Sequence, residues 1–289
     1  MVKLLAERAA AKINVFVRVT SRRADGYHVL DSIFLPIALA DSVSIEYRDG
    51  AGRSVRLLCD APELGDPSTN LASRAATAFL DEFNLDAAVL IRLQKQIPVG
   101  AGLGGGSSDA GAVLRMLARL ARIETPAELH RIAVGLGADV PFFLDPRPAH
   151  VTGIGEKIAL LDSVAAMPVV LAIPPFGIAT AGVFRALKKE NWSGPVDAAA
   201  INSVRRGAIT PAIAVNDLAS VAAAQHPEIA TLTALLESLG ARAAQMTGSG
   251  SAVFGIFASA GEAERAAHSA RERMPDTRFI VTETIASDS

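Results

Sequence analysis

The sequence predicts an α+β fold with two domains. Its strand-like segments occur in clusters and do not alternate strictly with helices, as they would in a βαβ fold. Its 289 residues are enough for two modest domains, each with its own core. We see no internal repeat and no low-complexity tract, and the pattern places the division between residues 1–154 and 155–289.

The N-terminal half begins with strands that are rich in Val, Ile and Leu. We expect these strands at 13–19, 28–39, 41–47 and 54–59. An Asp-Gly turn separates the first two. Helical periodicity follows at 70–85, then a strand at 89–97 and a helix from Ser107 to Arg122. A further helix starts near Pro126 with Thr125 as its cap, and Pro141 predicts a break just after Asp139.

The C-terminal half has the same mixture of elements. Strands are expected at 168–175, 242–246, 251–257 and 278–284. Helices are expected at 180–189, in most of 198–239 and at 261–274. A polar connection that contains Gly and Pro, 188–197, lies between the first two helical regions.

Composition excludes several classes of protein. The net charge of −2 gives no electrostatic footprint for nucleic acid or an anionic membrane. The single cysteine, Cys59, excludes an internal disulfide and a thiolate-rich metal site. No signal peptide or membrane span is predicted. We therefore expect a cytoplasmic protein without nucleic-acid or membrane partners. We expect a monomer or homodimer.

The stretch PVGAGLGGGSSDAG, residues 98–111, is the most informative part of the sequence about function. Glycine allows positive φ and a close approach by a ligand. The first amides of a helix lack intrahelical partners and lie at the positive end of its dipole. Together these features predict an anion site, usually for phosphate. Asp109 is expected in the first turn of the helix that follows.

Several readings of this stretch compete. A Walker A loop requires Gly-Lys-Ser/Thr, but Ser107 follows Gly106. The dinucleotide-binding fingerprint is present as Gly100-x-Gly102-x-x-Gly105. In a dinucleotide-binding fold, however, a second strand carries an acidic residue for the ribose about 20 residues further on, and here the helical pattern continues instead. A flexible linker is a third reading, which its position between an apolar strand and an apolar helix disfavours.

The same stretch resembles the second motif of the GHMP kinase superfamily. The resemblance extends to AAAKINVFVRVTSRRADGYHVLDSIF (9–34), GADVPFFL (137–144) and QMTGSGSAVFGIF (245–257), in the order that the family has them. It implies a two-domain fold, with an N-terminal domain of ribosomal-protein-S5-like topology and a C-terminal ferredoxin-like sandwich. It also implies an ATP- and Mg²⁺-dependent small-molecule kinase. The matching branch phosphorylates the 2-hydroxyl of a cytidylylated methylerythritol in the non-mevalonate route to isoprenoids; mevalonate and homoserine kinases are alternatives.

The resemblance also implies catalytic roles for Asp139 and Lys12. Asp139 interrupts an apolar run, and a carboxylate there needs a partner or a shifted pKa, although a cap or turn is the simpler reading. Lys12 interrupts an apolar strand, and taken alone it would be interpreted as a surface lysine. In the family pattern K-x-N, this lysine pairs with the catalytic aspartate, here Asp139, and stabilises the negative charge that develops during phosphoryl transfer. Asn14, on the same strand face, is expected to orient Lys12 or a substrate hydroxyl.

A pocket for the cytosine base is the next implication. Tyr27 and His28 follow the Asp-Gly turn, and an aromatic ring can stack on a base while an imidazole reads its edge. Phe184 would form the opposite face of the pocket, although a helical phenylalanine is often part of the core. Thr180 is expected to cap its helix and to approach the substrate.

The resemblance assigns the remaining residues to ATP. Asn70 caps a helix and in the family lies near the adenine; TGSG (247–250) closes over the phosphates, although it could be an ordinary hairpin. Ser107 or Ser108 could hold Mg²⁺ or cap the helix. VNDLASV (215–221) has Ala219 where the family has an acid, and we assign it no role. The expected ATP-binding residues are Asn70, Pro98, Gly100, Gly102, Leu103, Gly104, Gly105, Gly106, Ser107, Ser108, Gly248, Ser249 and Gly250.

Overall fold

The computed structural model describes residues 2–61 and 64–287. It divides into two compact units. The first consists of Met1–Ala11, Leu39–Ile97 and Gly104–Pro146, and the second of Lys12–Ala38, Pro98–Leu103 and Arg147–Ser289. Each unit takes several chain segments because the first two strands, β1 (Val2–Arg22) and β2 (His28–Asp49), contribute residues to both.

In the first unit, helices pack on three strand segments. Strand β4 (Ala87–Gln94) runs antiparallel to Ser42–Asp49 of β2 and parallel to β3 (Ser54–Cys59). The helices are α1 (Leu71–Glu82), α2 (Gly105–Ala121) and α3 (Pro126–Leu136), followed by a 3-10 helix at Pro141–Leu144. Alternate residues of β4 are buried, and they form one apolar core with the inner faces of α1 and α2.

In the second unit, β5 (Ala149–Gly153) pairs antiparallel with Leu30–Phe34 of β2, and β6 (Lys157–Leu160) pairs with β5. A separate four-stranded antiparallel sheet has the order β10-β7-β9-β8. Its strands are β7 (Pro168–Ile173), β8 (Ala243–Met246), β9 (Val253–Ile256) and β10 (Arg278–Glu283). The helices are α4 (Thr180–Ala186), α5 (Ala198–Arg205), α6 (Ala219–Gln225), α7 (Glu228–Ser238) and α8 (Ala260–Arg273). Residues of β1, this sheet, α7 and α8 share one apolar core.

Most of the expected elements are present, with several corrections. The two strands expected at 28–39 and 41–47 are one strand, and β1 begins eleven residues before the expected start at residue 13. No strand was expected at β5 or β6, because both are short and lack a run of branched residues. Helix α2 already begins at Gly105, so Asp109 lies beyond its first turn.

Of three expected helix caps, one is wrong and two occupy the expected position. Thr180 is the first residue of α4 and Ala179 occupies the cap position, so the threonine hydroxyl makes no capping bond. Thr125 is the N-cap residue of α3, as expected, but its side chain makes no capping bond. Asn70 does cap α1: its Oδ1 accepts a hydrogen bond from the Ala72 amide at 2.9 Å.

Candidate active site

Lys12 lies on β1 within a buried polar cluster of the second unit. Its side chain is only 3% exposed, and its Nζ donates to Asn14 Oδ1 at 2.5 Å. The Lys12 ammonium also lies over the Phe34 ring, 4.7 Å from the centroid. The spacing K-x-N therefore puts both side chains on one face, as the sequence predicts.

Asn14 links this cluster to the turn TGSG (247–250). The Asn14 amide donates to Thr247 Oγ1 at 2.9 Å, and its Nδ2 donates to Ser32 Oγ at 2.9 Å. Ser32 in turn donates to the Phe16 carbonyl. All three polar side chains are buried, so the network fixes the Asn14 carbonyl that accepts from Lys12.

The first part of the glycine stretch, 98–103, packs on the turn 247–250 in the same unit. The Ala252 amide donates to the Ala101 carbonyl at 3.1 Å, and the Lys12 amide donates to the Leu103 carbonyl at 3.0 Å. A Cβ on Gly102 would lie 2.3 Å from the Thr247 carbonyl oxygen, so only glycine fits at this position. A Cβ on Gly248 would lie 3.4 Å from Lys12 Nζ, which places that turn beside the lysine.

Two predicted residues connect the turn 247–250 to helix α4. Ser249 Oγ lies 2.7 Å from Thr180 Oγ1, and either hydroxyl can be the donor. Thr180 therefore bonds to this turn and does not cap its helix. Gly250 and Ser249 complete the turn, with the Gly250 amide donating to the Thr247 carbonyl at 2.9 Å.

An aromatic cluster lies near the hairpin of β1 and β2. The His28 ring stacks on Phe184 with centroids 5.5 Å apart and planes at 26°, and Trp192 meets His28 edge-on at 6.0 Å. Burial lowers the pKa of His28 and the Arg22 charge lowers it further, so the imidazole is neutral at pH 7 with one donor and one acceptor nitrogen. Tyr27 is 60% exposed, and Phe184 faces His28 in this structure.

The first unit holds the start of α2, the expected phosphate-binding helix. Gly104 precedes it, and the amides of Gly105, Gly106 and Ser107 are the ones that a helix leaves without intrahelical partners. Ser108 is buried and its Oγ donates to the Ala10 carbonyl at 2.6 Å. Ser107 is half-buried at the same helix end.

A buried ion cluster supports this helix. Lys95 Nζ bonds Asp109 Oδ2 at 2.7 Å and also bonds Asp41 Oδ2. Asp41 Oδ1 accepts from the Gln96 and Ile97 amides at 2.6 and 2.9 Å, which fixes the chain just before Pro98. Burial raises the pKa of Asp109 to about 7, because desolvation outweighs the Lys95 charge.

A cavity of about 250 Å³ opens beside Asn70 in the same unit. It is lined by Leu57, Leu58, Cys59, Ala61, Leu64, Gly65, Pro67 and Asn70. Its walls are mostly apolar, as in sites that take a flat heterocycle. Because Asn70 Oδ1 is used by the helix cap, its Nδ2 amine is the group that could donate to a ligand.

Asp139 lies in the turn between α3 and the 3-10 helix at Pro141–Leu144, where it is half-buried. The Val140 amide closes this turn on the Gly137 carbonyl at 3.1 Å. Asp139 belongs to the first unit and Lys12 to the second, and their pairing stays a prediction.

Comparison with known proteins decides the family. The model of the GHMP kinases N terminal domain matches residues 70–145, and that of GHMP kinases C terminal matches 184–276. The chain belongs to the GHMP kinase family. It is therefore a small-molecule kinase, and the family uses ATP as phosphoryl donor. The glycine stretch is accordingly no dinucleotide fingerprint and no linker.

Individual relatives are similar over most of the chain. A protein of Anaeromyxobacter dehalogenans (strain 2CP-C), named 4-diphosphocytidyl-2-C-methyl-D-erythritol kinase, is 42% identical over 262 residues, which are 90% of this chain and 82% of the relative. A protein with the same name from Rhizobium leguminosarum bv. trifolii (strain WSM2304) is 40% identical to this chain. The similarity covers 97% of this chain and 95% of that relative.

Solved structures show the same two-domain α+β fold. The crystal structure of a 4-(cytidine 5'-diphospho)-2C-methyl-D-erythritol kinase superposes with a TM-score of 0.82 at 34% identity, covering 97% of this chain and 99% of that one. The mevalonate kinase of L. major, at 13% identity, shares the fold with a TM-score of 0.73 and covers 99% of this chain and 97% of its own.

Several residues that contact the predicted site residues were not predicted from sequence. Thr247 and Ser32 complete the Lys12–Asn14 network, Lys95 and Asp41 hold the start of α2, and Trp192 joins the aromatic cluster. Lys95, a charge inside the apolar run before Pro98, is the one that a sequence signal could have indicated. Among residues 2–61 and 64–287, no helix is long and apolar enough to cross a bilayer.

Proposed function

We propose that this kinase transfers the γ-phosphoryl group of ATP to the 2-hydroxyl of 4-diphosphocytidyl-2-C-methyl-D-erythritol, giving the 2-phosphate and ADP. The aromatic cluster of His28, Phe184 and Trp192 is the single observation that supports it most, since it offers stacking faces and a neutral imidazole to a nucleobase. The relatives named above support the same substrate. The protein would act in the cytoplasm, in the non-mevalonate route to isoprenoid precursors.

The reaction is an in-line displacement that requires positioning and charge neutralisation. The 2-hydroxyl oxygen forms a bond to the γ-phosphorus while the bond to the β–γ bridging oxygen breaks and ADP leaves. Asp139 takes the hydroxyl proton. Lys12, oriented by Asn14, neutralises the charge that develops on the transferring group.

The phosphates of ATP are assigned to the glycine stretch, residues 98–111, and to the turn 247–250. In the first unit the free amides at the start of α2 donate to phosphate oxygens. In the second unit, 98–103 and 247–250 present the backbone groups. Pro98, Gly100, Gly102 and Leu103 shape the first of these, and Gly248, Ser249 and Gly250 the second.

Mg²⁺ is expected to accompany ATP and to neutralise charge on its phosphates. Ser108 is only 1% exposed, whereas Ser107 is half-buried at the same helix end, so Ser107 is the serine more accessible to a metal ion. The cavity beside Asn70 is assigned to the adenine ring. The domain division at residues 154 and 155 stays a prediction.

A coupled assay of ADP release tests the proposal. Purified protein with Mg-ATP receives the cytidylylated methylerythritol in parallel with mevalonate, homoserine and galactose. We expect ADP release with the cytidylylated substrate alone. Release with one of the other alcohols would contradict the base pocket but keep the kinase family, and release with none would contradict the proposed substrate.

A further inference from the structure

Trp192 lies in the polar connection 188–197, to which the sequence alone assigns no function. The segment 192–196 follows a 3-10 helix at Lys189–Asn191 and precedes α5. Its tryptophan meets the His28 ring edge-on at 87°, while Phe184 stacks on the same imidazole. The imidazole therefore has one aromatic ring parallel to it and another perpendicular to it.

The indole N–H of Trp192 has no partner within the described part of the chain. Its Nε1 atom is buried, and it makes no hydrogen bond in the ligand-free protein. An unsatisfied buried donor is costly and needs an explanation. Indole nitrogen only donates, so a ligand that carries an acceptor would satisfy it.

Two buried carboxylates hold the segment in place. Asp217 Oδ2 accepts from the Ser193 amide at 2.9 Å and from the Val19 amide at 2.7 Å, and the Ser193 hydroxyl donates to its other oxygen. Asp31 Oδ2 accepts from the Val196 amide at 2.9 Å. Burying a carboxylate is unfavourable unless it is well paired, and a simple surface connection does not require two. The bonds indicate a segment that must keep one position.

Asn216, the neighbour of Asp217 in the chain, bonds to the turn 247–250 and to the residue before it. Its Nδ2 donates to the carbonyls of Met246 and Gly248 at 2.8 and 2.9 Å. The Leu218 amide returns a bond to Asn216 Oδ1 at 2.9 Å. The pair Asn216–Asp217 thus connects the turn 247–250, strand β1 and the segment that carries Trp192.

We propose that Trp192 is a specificity-determining residue for the cytidine moiety of the substrate, and that Asp217 is the residue that positions it. The indole forms a third aromatic wall beside His28 and Phe184. When the base binds against this cluster, the indole N–H donates to an acceptor of the cytidine. This inference rests on the proposed function, because it takes a cytidylylated alcohol as the ligand.

The test uses the fact that Trp192 is the only tryptophan in the chain. Intrinsic tryptophan emission therefore reports on this one position in the unmodified protein. Titration with cytidine 5'-diphosphate is expected to change the emission saturably. The variant Asp217→Asn keeps the shape of the side chain but removes its charge. In this variant the same titration is expected to give a smaller emission change, with its midpoint at a higher ligand concentration.

Kinetics separate recognition from folding. Trp192→Phe keeps an aromatic ring and removes the N–H, so we expect KM for the cytidylylated methylerythritol to rise by about threefold to tenfold, the usual value of one neutral hydrogen bond. We expect kcat to stay within about twofold of the wild type and KM for ATP to be unchanged. The lost bond holds the base equally in the bound substrate and in the transition state, so its removal weakens binding without slowing the chemical step. Lys189→Ala, an exposed change on the preceding turn, is the matched control and should leave all three constants unchanged.

The results distinguish the inference from the proposed function. Turnover of the cytidylylated substrate with wild-type KM in Trp192→Phe, together with emission that does not respond to cytidine 5'-diphosphate, would overturn the role of Trp192 and leave the proposed function intact. Absence of turnover with this substrate would overturn the proposed function and the inference together.

Discussion

At the residue scale, Asp109 is the clearest titrating group. Its carboxyl is buried against Lys95, and Asp41 bonds the same ammonium. Burial raises the pKa of Asp109 to about 7, so the folded state holds a proton there that the unfolded chain releases near pH 4. The folded protein binds more protons between these values, and this contribution to stability is lost as pH rises through 7.

Replacing Asp109 with Asn removes this dependence. We expect the wild type to lose roughly 1–4 kcal/mol of unfolding free energy relative to Asp109→Asn between pH 4 and pH 8, since each pKa unit is worth about 1.4 kcal/mol. Urea unfolding of both proteins at pH 4, 5, 6, 7 and 8 measures the difference. Two pH profiles that run parallel would show that Asp109 titrates normally.

Asp139 is the residue on which the chemistry of the proposal depends. Asp139→Asn keeps the size of the side chain but cannot accept the hydroxyl proton, so kcat is expected to fall by roughly 10²–10⁴-fold. Calorimetry should show ADP and cytidine 5'-diphosphate binding as in the wild type. Asp276→Asn, an exposed acid near the C-terminus, serves as control. Turnover near the wild-type rate in Asp139→Asn would refute its role as the base.

At the element scale, helix α2 depends on a close approach to the 3-10 helix at Pro141–Leu144. A Cβ on Gly111 would lie 2.5 Å from the Phe143 Cβ and 2.6 Å from its carbonyl oxygen. Overpacking of this kind costs roughly 1–3 kcal/mol, and the backbone oxygen leaves little room to adjust. We expect Gly111→Ala to lower the free energy of unfolding by about that amount in urea.

Gly135 gives a matched control within the same unit. It lies in α3, and a Cβ there would meet no atom within 4 Å. Gly135→Ala should therefore stabilise the protein by about 0.5–1 kcal/mol, because alanine loses less backbone entropy in a helix. Equal effects of the two substitutions would show that packing against Phe143 is not what requires glycine at 111.

The elements also show what the sequence could and could not predict. Periodicity located α1 and α8 because each buries one apolar face. Helix α2 is buried at seven consecutive positions, 108–114, and its apolar composition rather than one face indicated it. Capping chemistry was less informative: Thr180 has the right side chain, but its helix begins one residue earlier than a cap requires. For the site, K-x-N placed Lys12 and Asn14 on one face, but Thr247, 233 residues away from Asn14, enters only through tertiary pairing.

At the scale of the whole molecule, the predicted site residues are distributed over both compact units. The first contains the start of α2, Asp139 and the cavity beside Asn70; the second contains Lys12, the turn 247–250 and the aromatic cluster. Sequence order alone does not reveal this arrangement, because β1 and β2 pass from one unit to the other. The cavity assigned to adenine and the aromatic cluster assigned to cytosine lie in different units, so the binding of the two bases can be followed separately.

The only cysteine of the chain makes the adenine assignment testable. Cys59 lines the cavity beside Asn70 and is half-buried, so a maleimide can label this one position. If the cavity takes the adenine ring, ADP at ten times its dissociation constant should slow the labelling by roughly tenfold, since only the unliganded fraction reacts. Cytidine 5'-diphosphate should leave the rate unchanged, and Cys59→Ala should abolish labelling. An unchanged rate at ADP concentrations that inhibit turnover would place the adenine elsewhere, because a bound base in this cavity would cover the thiol.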